Sequence, residues 1–185
     1  YKRQGVRSAG THAFPPRRVA EAYARDAGIQ TRPRTAPAPL DRQQARRQAD
    51  AYEAAPNMPN DPEVKRAYDQ MAQEVEDQYS FLQDRAGVKM EPWLEVDAAG
   101  NPTQPYRNSQ EMYDDVTKQN HLWYFPSEQG FGQKAGETGP LMRLSSRHIP
   151  INDEFRAVHD YMGHATGPGR AHQFGPIGEE RAYQE

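Results

Sequence analysis

The sequence predicts an α-rich α+β domain preceded by an extended basic arm, and three observations lead to that architecture. Apolar residues recur at helical spacing over several segments, most clearly from Val64 to Leu82, whereas strand signals are confined to short runs, chiefly around Met90 and Leu122. Residues 1–60 are repeatedly interrupted by proline, at Pro15, Pro16, Pro33, Pro37, Pro39, Pro56 and Pro59. Hydrophobic residues make up 35% of the chain and the mean hydropathy is −1.08, too polar for all 185 residues to share one core. The chain therefore divides into a Pro-broken arm with short helices over 1–60 and a compact domain with one long amphipathic helix and a small sheet over 61–185.

Charge follows the same division. Residues 1–47 carry eleven Lys and Arg, including Arg17, Arg18, Arg32, Arg34, Arg46 and Arg47, against Glu21, Asp26 and Asp41, a local net of +8. The whole chain is −3, so the remainder is −11. A basic arm on an acidic body suits contact with an acidic protein surface or with nucleic acid, and those arginines are the expected binding residues. No aromatics alternate with them, which disfavours single-strand stacking. No apolar run approaches the roughly 18 residues of a membrane span, no signal-peptide pattern opens the chain, and the protein reads as soluble. Beginning at Tyr1 and stopping at Glu185 inside an expected helix, the chain reads as a processed or partial segment of a longer polypeptide.

Taken in order, residues 1–14 show neither helical nor strand period and are expected to be extended. Pro15 and Pro16 open a short helix with Val19, Ala22 and Tyr23 on one stripe, stopped by Gly28. Ile29–Asp41 is an extended Pro-rich linker. Asp41 can cap a second helix of mainly alanine apolar content, which has propensity but little to bury. Asp61 before Pro62 is a strong helix start, and Val64, Ala67, Tyr68, Met71, Val75, Tyr79 and Leu82 form the longest stripe, closed by Gly87. Val88–Val96 holds Pro92 and is expected at a sheet edge. Asn108 with Glu111 three residues on opens another helix in capping-box fashion. His121–Phe125 is the clearest strand, Ser127–Gly139 a glycine loop, and Leu141–Ile151 a further strand candidate.

The C-terminal stretch concentrates the candidate chemistry. It holds three of the six histidines, and with no cysteine in the chain a metal could be bound only by imidazole and carboxylate. Asn152 or Asp153 is expected to cap a helix reaching His164. On an ideal α-helix Phe155, Val158, His159 and Met162 share one face, with Asp153, Asp160 and His164 opposite. His159 and His164 are then five residues and roughly 140° apart, so they cannot chelate together unless Gly163 deforms the turn. Asp160 and His164, at i,i+4, are the pair ideal geometry allows. The expected ligands of a divalent ion, zinc or similar, are Asp160, His164, His159 and Glu180, with Glu179, His172 and His148 as further candidates. The bland alternatives are a hydrogen-bonded core imidazole at His159 and a helix C-terminal histidine at His164. Gly130, Gly132, Gly136 and Gly139 lack phosphate-loop spacing, and Ser145 and Ser146 lack a nucleophile elbow.

The strings FRAVHDYMGHA (155–165) and FGPIGEERAY (174–183) resemble a module of bacteriophage proteins described as containing a crystallin beta/gamma motif, also found in large phage polyvalent proteins. YDQMAQEVEDQY (68–79) and WYFPSEQGFG (123–132) are similar to further segments of that family, so the resemblance covers about residues 60–185. It implies a phage origin and a structural or accessory role in the virion, in an oligomeric assembly. The arm's partners would be other virion proteins (capsid, portal, tail or internal ejected proteins) or packaged DNA. It implies no reaction and supplies no active site. The family motif commonly continues past an Asn-Ala-Trp segment to another histidine, where this chain has Arg181-Ala182-Tyr183. Adjacent His159 and Asp160 also resemble the metal-binding pair of HD phosphohydrolases, although no aspartate follows Asp160. The alternative function is thus a metal-dependent hydrolase using residues within 159–180.

Overall fold

The structure is a computed structural model describing residues 14–30, 41–130 and 139–183. It has the expected α-rich α+β fold, with one two-stranded sheet among the described residues. Helix α1 (Pro16–Asp26) starts on proline and ends where Gly28 turns at φ +69°. It does not stand free. Val19 joins the main core, the Tyr23 ring meets Phe81 edge-on at 5.3 Å, and Arg85 pairs with Asp26.

Helix α2 (Arg42–Ala54) is capped as expected by Asp41, whose Oδ1 accepts from the Gln43 and Gln44 amides at 2.9 and 3.0 Å. It buries no residue at all, and Tyr52 is 84% exposed. Residues 1–13 and the linker carrying Arg32 and Arg34 lie outside the described residues, as does 131–138 of the glycine loop.

Helix α3 (Pro62–Ser80) is capped by Asp61 through the Glu63 and Val64 amides. Its buried face is Ala72, Val75 and Tyr79, continued by Leu82; the predicted stripe also included Tyr68, which stays 39% exposed because packing covers only the later turns. The helix ends in a π turn (Phe81–Arg85), where the Ala86 amide reaches the Phe81 carbonyl five residues back.

Strand β1 (Lys89–Pro92) then pairs in parallel with β2 (His121–Tyr124), Lys89 opposite His121 and Pro92 opposite Tyr124. Parallel strands need a crossover, and α4 (Ser109–Gln119) supplies it. Asn108 caps α4 through the Glu111 amide, while Glu111 reaches back to the Arg107 amide rather than to the cap itself. Asn120 takes the left-handed conformation between α4 and β2, and its amide donates to the Ala86 and Gly87 carbonyls.

Two expectations are corrected beyond this point. Leu141–Ile151 forms only an isolated bridge between Leu144 and Pro150, because the chain doubles back at His148 (φ +63°) and its amides bond within that turn. The short helix α5 (Ser127–Gly130) also occupies the start of the expected glycine loop, and it draws on the next helix. Helix α6 (Ile151–Val158) follows Pro150 and is capped by neither Asn152 nor Asp153. Asp153 is buried and accepts from the amide and hydroxyl of Ser127; Asn152 donates to that hydroxyl at 2.6 Å. The buried polar groups of Ser127 need partners, and meeting that need outweighs capping.

The core joins α1, α3, the sheet and α4 to α6 and the turn beyond it, through Leu82, Met90, Met112, Leu122, Tyr124, Ala157 and Tyr161. A smaller cluster of Ala72, Val75 and Ile151 seats α6 on α3. Among the described residues no helix is long and apolar enough to cross a membrane.

Candidate metal centre

Helix α6 does not continue as an α-helix through the histidines. His159–His164 form a second π turn, with the Ala165 amide bonded to the Asp160 carbonyl at 3.0 Å. The bonding period of five stacks residues that α geometry separates. His159 and His164, expected on opposite faces, therefore come together with their Nε2 atoms 3.1 Å apart.

Three local features support this turn. The Thr166 hydroxyl donates to the Met162 carbonyl at 2.7 Å, satisfying an acceptor released at the helix end. Gly163 lets a following helix close in, since a Cβ there would sit 3.2 Å from that of Ala182. The His172 amide donates to the His164 carbonyl at 2.9 Å, while His164 Nδ1 lies 3.1 Å from the His172 carbonyl. A carbonyl can only accept, so Nδ1 carries the proton and Nε2 presents its lone pair. The His164 ring is almost wholly buried, with Phe174 edge-on at 5.3 Å, and Phe155 stacks on His159 at 6.1 Å.

The carboxylate comes from helix α7 (Pro176–Tyr183), whose first turn carries Glu179. Its position depends on Gly178, where a Cβ would overlap the Gln173 carbonyl. Glu179 Oε2 lies 3.1 Å from His159 Nε2 and 3.3 Å from His164 Nε2. Those atoms make a nearly equilateral triangle. Tetrahedral zinc, with bonds of about 2.0–2.1 Å, separates its donors by about 3.3–3.4 Å. The three atoms thus form one face of such a coordination shell with little movement.

Asp160 is the fourth member: one carboxylate oxygen and the nitrogens of His159 and His164 all fall within 4.8 Å of one another. Asp160 as a residue keeps some exposed surface, yet loss of water raises its carboxyl well above the ordinary range, against the pull of His164. Desolvation likewise lowers His159, reinforced by His164 and opposed by Glu179, and this favours the neutral imidazole a metal requires. His159 and Glu179 keep part of their side chains in solvent, so the centre opens on one side.

Of the expected ligands, His159, Asp160 and His164 are brought together, and the carboxylate touching both imidazoles is Glu179 rather than Glu180. His172 contributes its backbone carbonyl as the orienting acceptor. Of the expected binding arginines, Arg17 pairs with Glu21, and Arg18, Arg46 and Arg47 are exposed. Sequence reading missed a second polar cluster. His121 Nδ1 lies 2.7 Å from Asp115 and its Nε2 3.2 Å from Glu91, while Tyr106 donates to Asp115 at 2.7 Å and accepts from the Trp123 amide. It ties both strands to α4, and its members are scattered over thirty positions with no local motif.

Compared with protein-family models, with curated proteins and with solved structures, the chain matches none.

Proposed function

We propose that this chain is a divalent-metal protein of the zinc type, bound through His159, His164 and Glu179, and that its activity is metal-assisted hydrolysis. The observation that carries this reading is the donor triangle of 3.1, 3.1 and 3.3 Å. Two imidazoles and a carboxylate favour zinc or a neighbouring transition metal over magnesium or calcium, which prefer oxygen shells. A zinc ion on three protein ligands keeps a fourth position for water and lowers that water's pKa to about 7. The His172 carbonyl holds the His164 ring in its ligating tautomer, Phe155 and Phe174 pack against the two rings, and Asp160, whose carboxylate belongs to the same cluster, is suited to accept a proton.

The test is metal uptake by the chelator-stripped full chain in equilibrium dialysis against Zn²⁺, followed by hydrolysis assays on phosphate-ester and peptide substrates. One ion per chain is expected, with affinity reduced at least about 100-fold in His164→Ala. Asp160→Asn should retain the ion and lose turnover. Failure of the wild type to take up stoichiometric metal would refute the proposal.

A second reading concerns the arm, and α2 favours it. A helix that buries nothing yet carries exposed Arg46 and Arg47 is suited to ordering against another surface. With the phage-module resemblance, we infer that the arm docks on virion proteins or packaged DNA, as part of an oligomeric assembly. Co-sedimentation of the full chain with assembled particles and with DNA tests this. A monomer that associates with neither would dispose of it.

A further inference from the structure

We propose that α7 is a metal-closed clamp: the ion bound by His159 and His164 engages Glu179 and thereby controls whether α7 is docked over the site. This deepens the metal reading and rests on it. The reason lies in what α7 lacks. Among its described residues it buries only Gly178 and Ala182, one methyl group between them, whereas Ile177 is 62% and Tyr183 86% exposed. A buried methyl contributes on the order of 1 kcal/mol, so apolar packing alone holds an eight-residue helix weakly, and a helix that short has little stability in isolation.

The segment entering α7 turns at two glycines. Gly169 and Gly175 take φ +74° and +120°, the latter immediately before Pro176. Phe174, 46% exposed, reaches back over the His164 ring from this same segment. Where α7 is seated, its contacts with the π turn include a close backbone approach, Gly163 against Ala182, and a polar one, Glu179 against both imidazoles. The polar contact is the one an ion would convert into coordinate bonds. Moving α7 away would remove one of three ligands and uncover His159 and His164, so opening and metal release are linked.

Linkage sets the size of the effect. If the undocked state, left with His159 and His164 alone, stays unloaded at the ion concentration used, opening of α7 is suppressed by a factor of 1 + [metal]/Kd, about 100-fold at a free ion concentration 100 times Kd. The experiment is amide hydrogen exchange read by mass spectrometry on the full chain, with and without Zn²⁺, alongside measured metal content in the same samples. Exchange across residues 176–183 should slow by about 100-fold on metal binding in the wild type. In Glu179→Gln, loaded to the same occupancy at higher Zn²⁺, that slowing should vanish while 159–164 remains protected. A wild type that binds one ion with unchanged exchange in α7 would overturn the clamp and leave the metal centre standing. A wild type that binds no ion would overturn both.

Discussion

Replacing Glu154 by glutamine should stabilise the protein, and increasingly so as pH rises. Glu154 sits on α6, the helix that leads into the His159–His164 turn, and is fully buried, with neither carboxylate oxygen in hydrogen-bond geometry with a partner among the described residues. Burial pushes its pKa up, and Glu76 adds to the shift; the nearby Ser145 hydroxyl and the Arg147 charge oppose it without prevailing. Its field also contributes to holding the Tyr79 phenol up at about 12, after burial itself. The sign follows from proton linkage. A carboxyl whose folded-state pKa is raised keeps its proton longer in the native than in the unfolded chain, so stability falls as pH rises from the ordinary carboxylate range through the folded pKa. Below that range both states are protonated and no penalty exists. Glutamine mimics the protonated side chain and does not titrate. Leaving a buried charged group unsatisfied costs about 2 kcal/mol or more, equivalent to a Tm increase of about 4–8 °C for a chain of this length once the charge is removed. Urea denaturation of wild type and Glu154→Gln at pH 4, 6 and 8 measures it. The two should nearly coincide at pH 4 and diverge to about 2 kcal/mol at pH 8. A pH-independent difference, or a less stable variant at pH 8, would refute the reasoning.

Two further outcomes follow from the same structure. Gly178→Ala places a methyl group on the Gln173 carbonyl and must displace the start of α7, so Zn²⁺ affinity should fall at least about tenfold by equilibrium dialysis, a loss on the scale of displaced supporting contacts. Global melting should change less than affinity, because α7 contributes so little to the core. Asp41→Ala removes the cap of α2 and should cost that helix about 1 kcal/mol; since α2 buries nothing, amide exchange across 42–54 should accelerate while the global Tm stays within about a degree.

Much of the fold was legible because its signals are local. Asp41 and Asp61 cap the helices they precede, Gly28 and Gly87 stop the helices they follow, and the short runs around Met90 and Leu122 mark the two strands that pair. The failures arose where a side chain that could serve locally is claimed by something distant. Asp153 looked like a cap and is instead the partner of Ser127, twenty-six residues away. Tyr68 fitted the α3 stripe and stays exposed, since a stripe does not say which turns a neighbour will cover.

The sequence by itself determined the candidate ligand types, by offering histidine and carboxylate with no cysteine, and located the candidates within 159–180. It also singled out Gly163 as the residue on which their meeting would depend. Only the tertiary structure decided that they meet. An α-helix and a π turn differ by one position of backbone bonding, a choice too small in local energy to be read from composition or period. That choice is settled by what packs against the turn: Ala182 against Gly163, and the His172 amide and carbonyl against His164. Those contacts bring in residues 8 to 19 positions downstream, and with them Glu179, which completes the triangle.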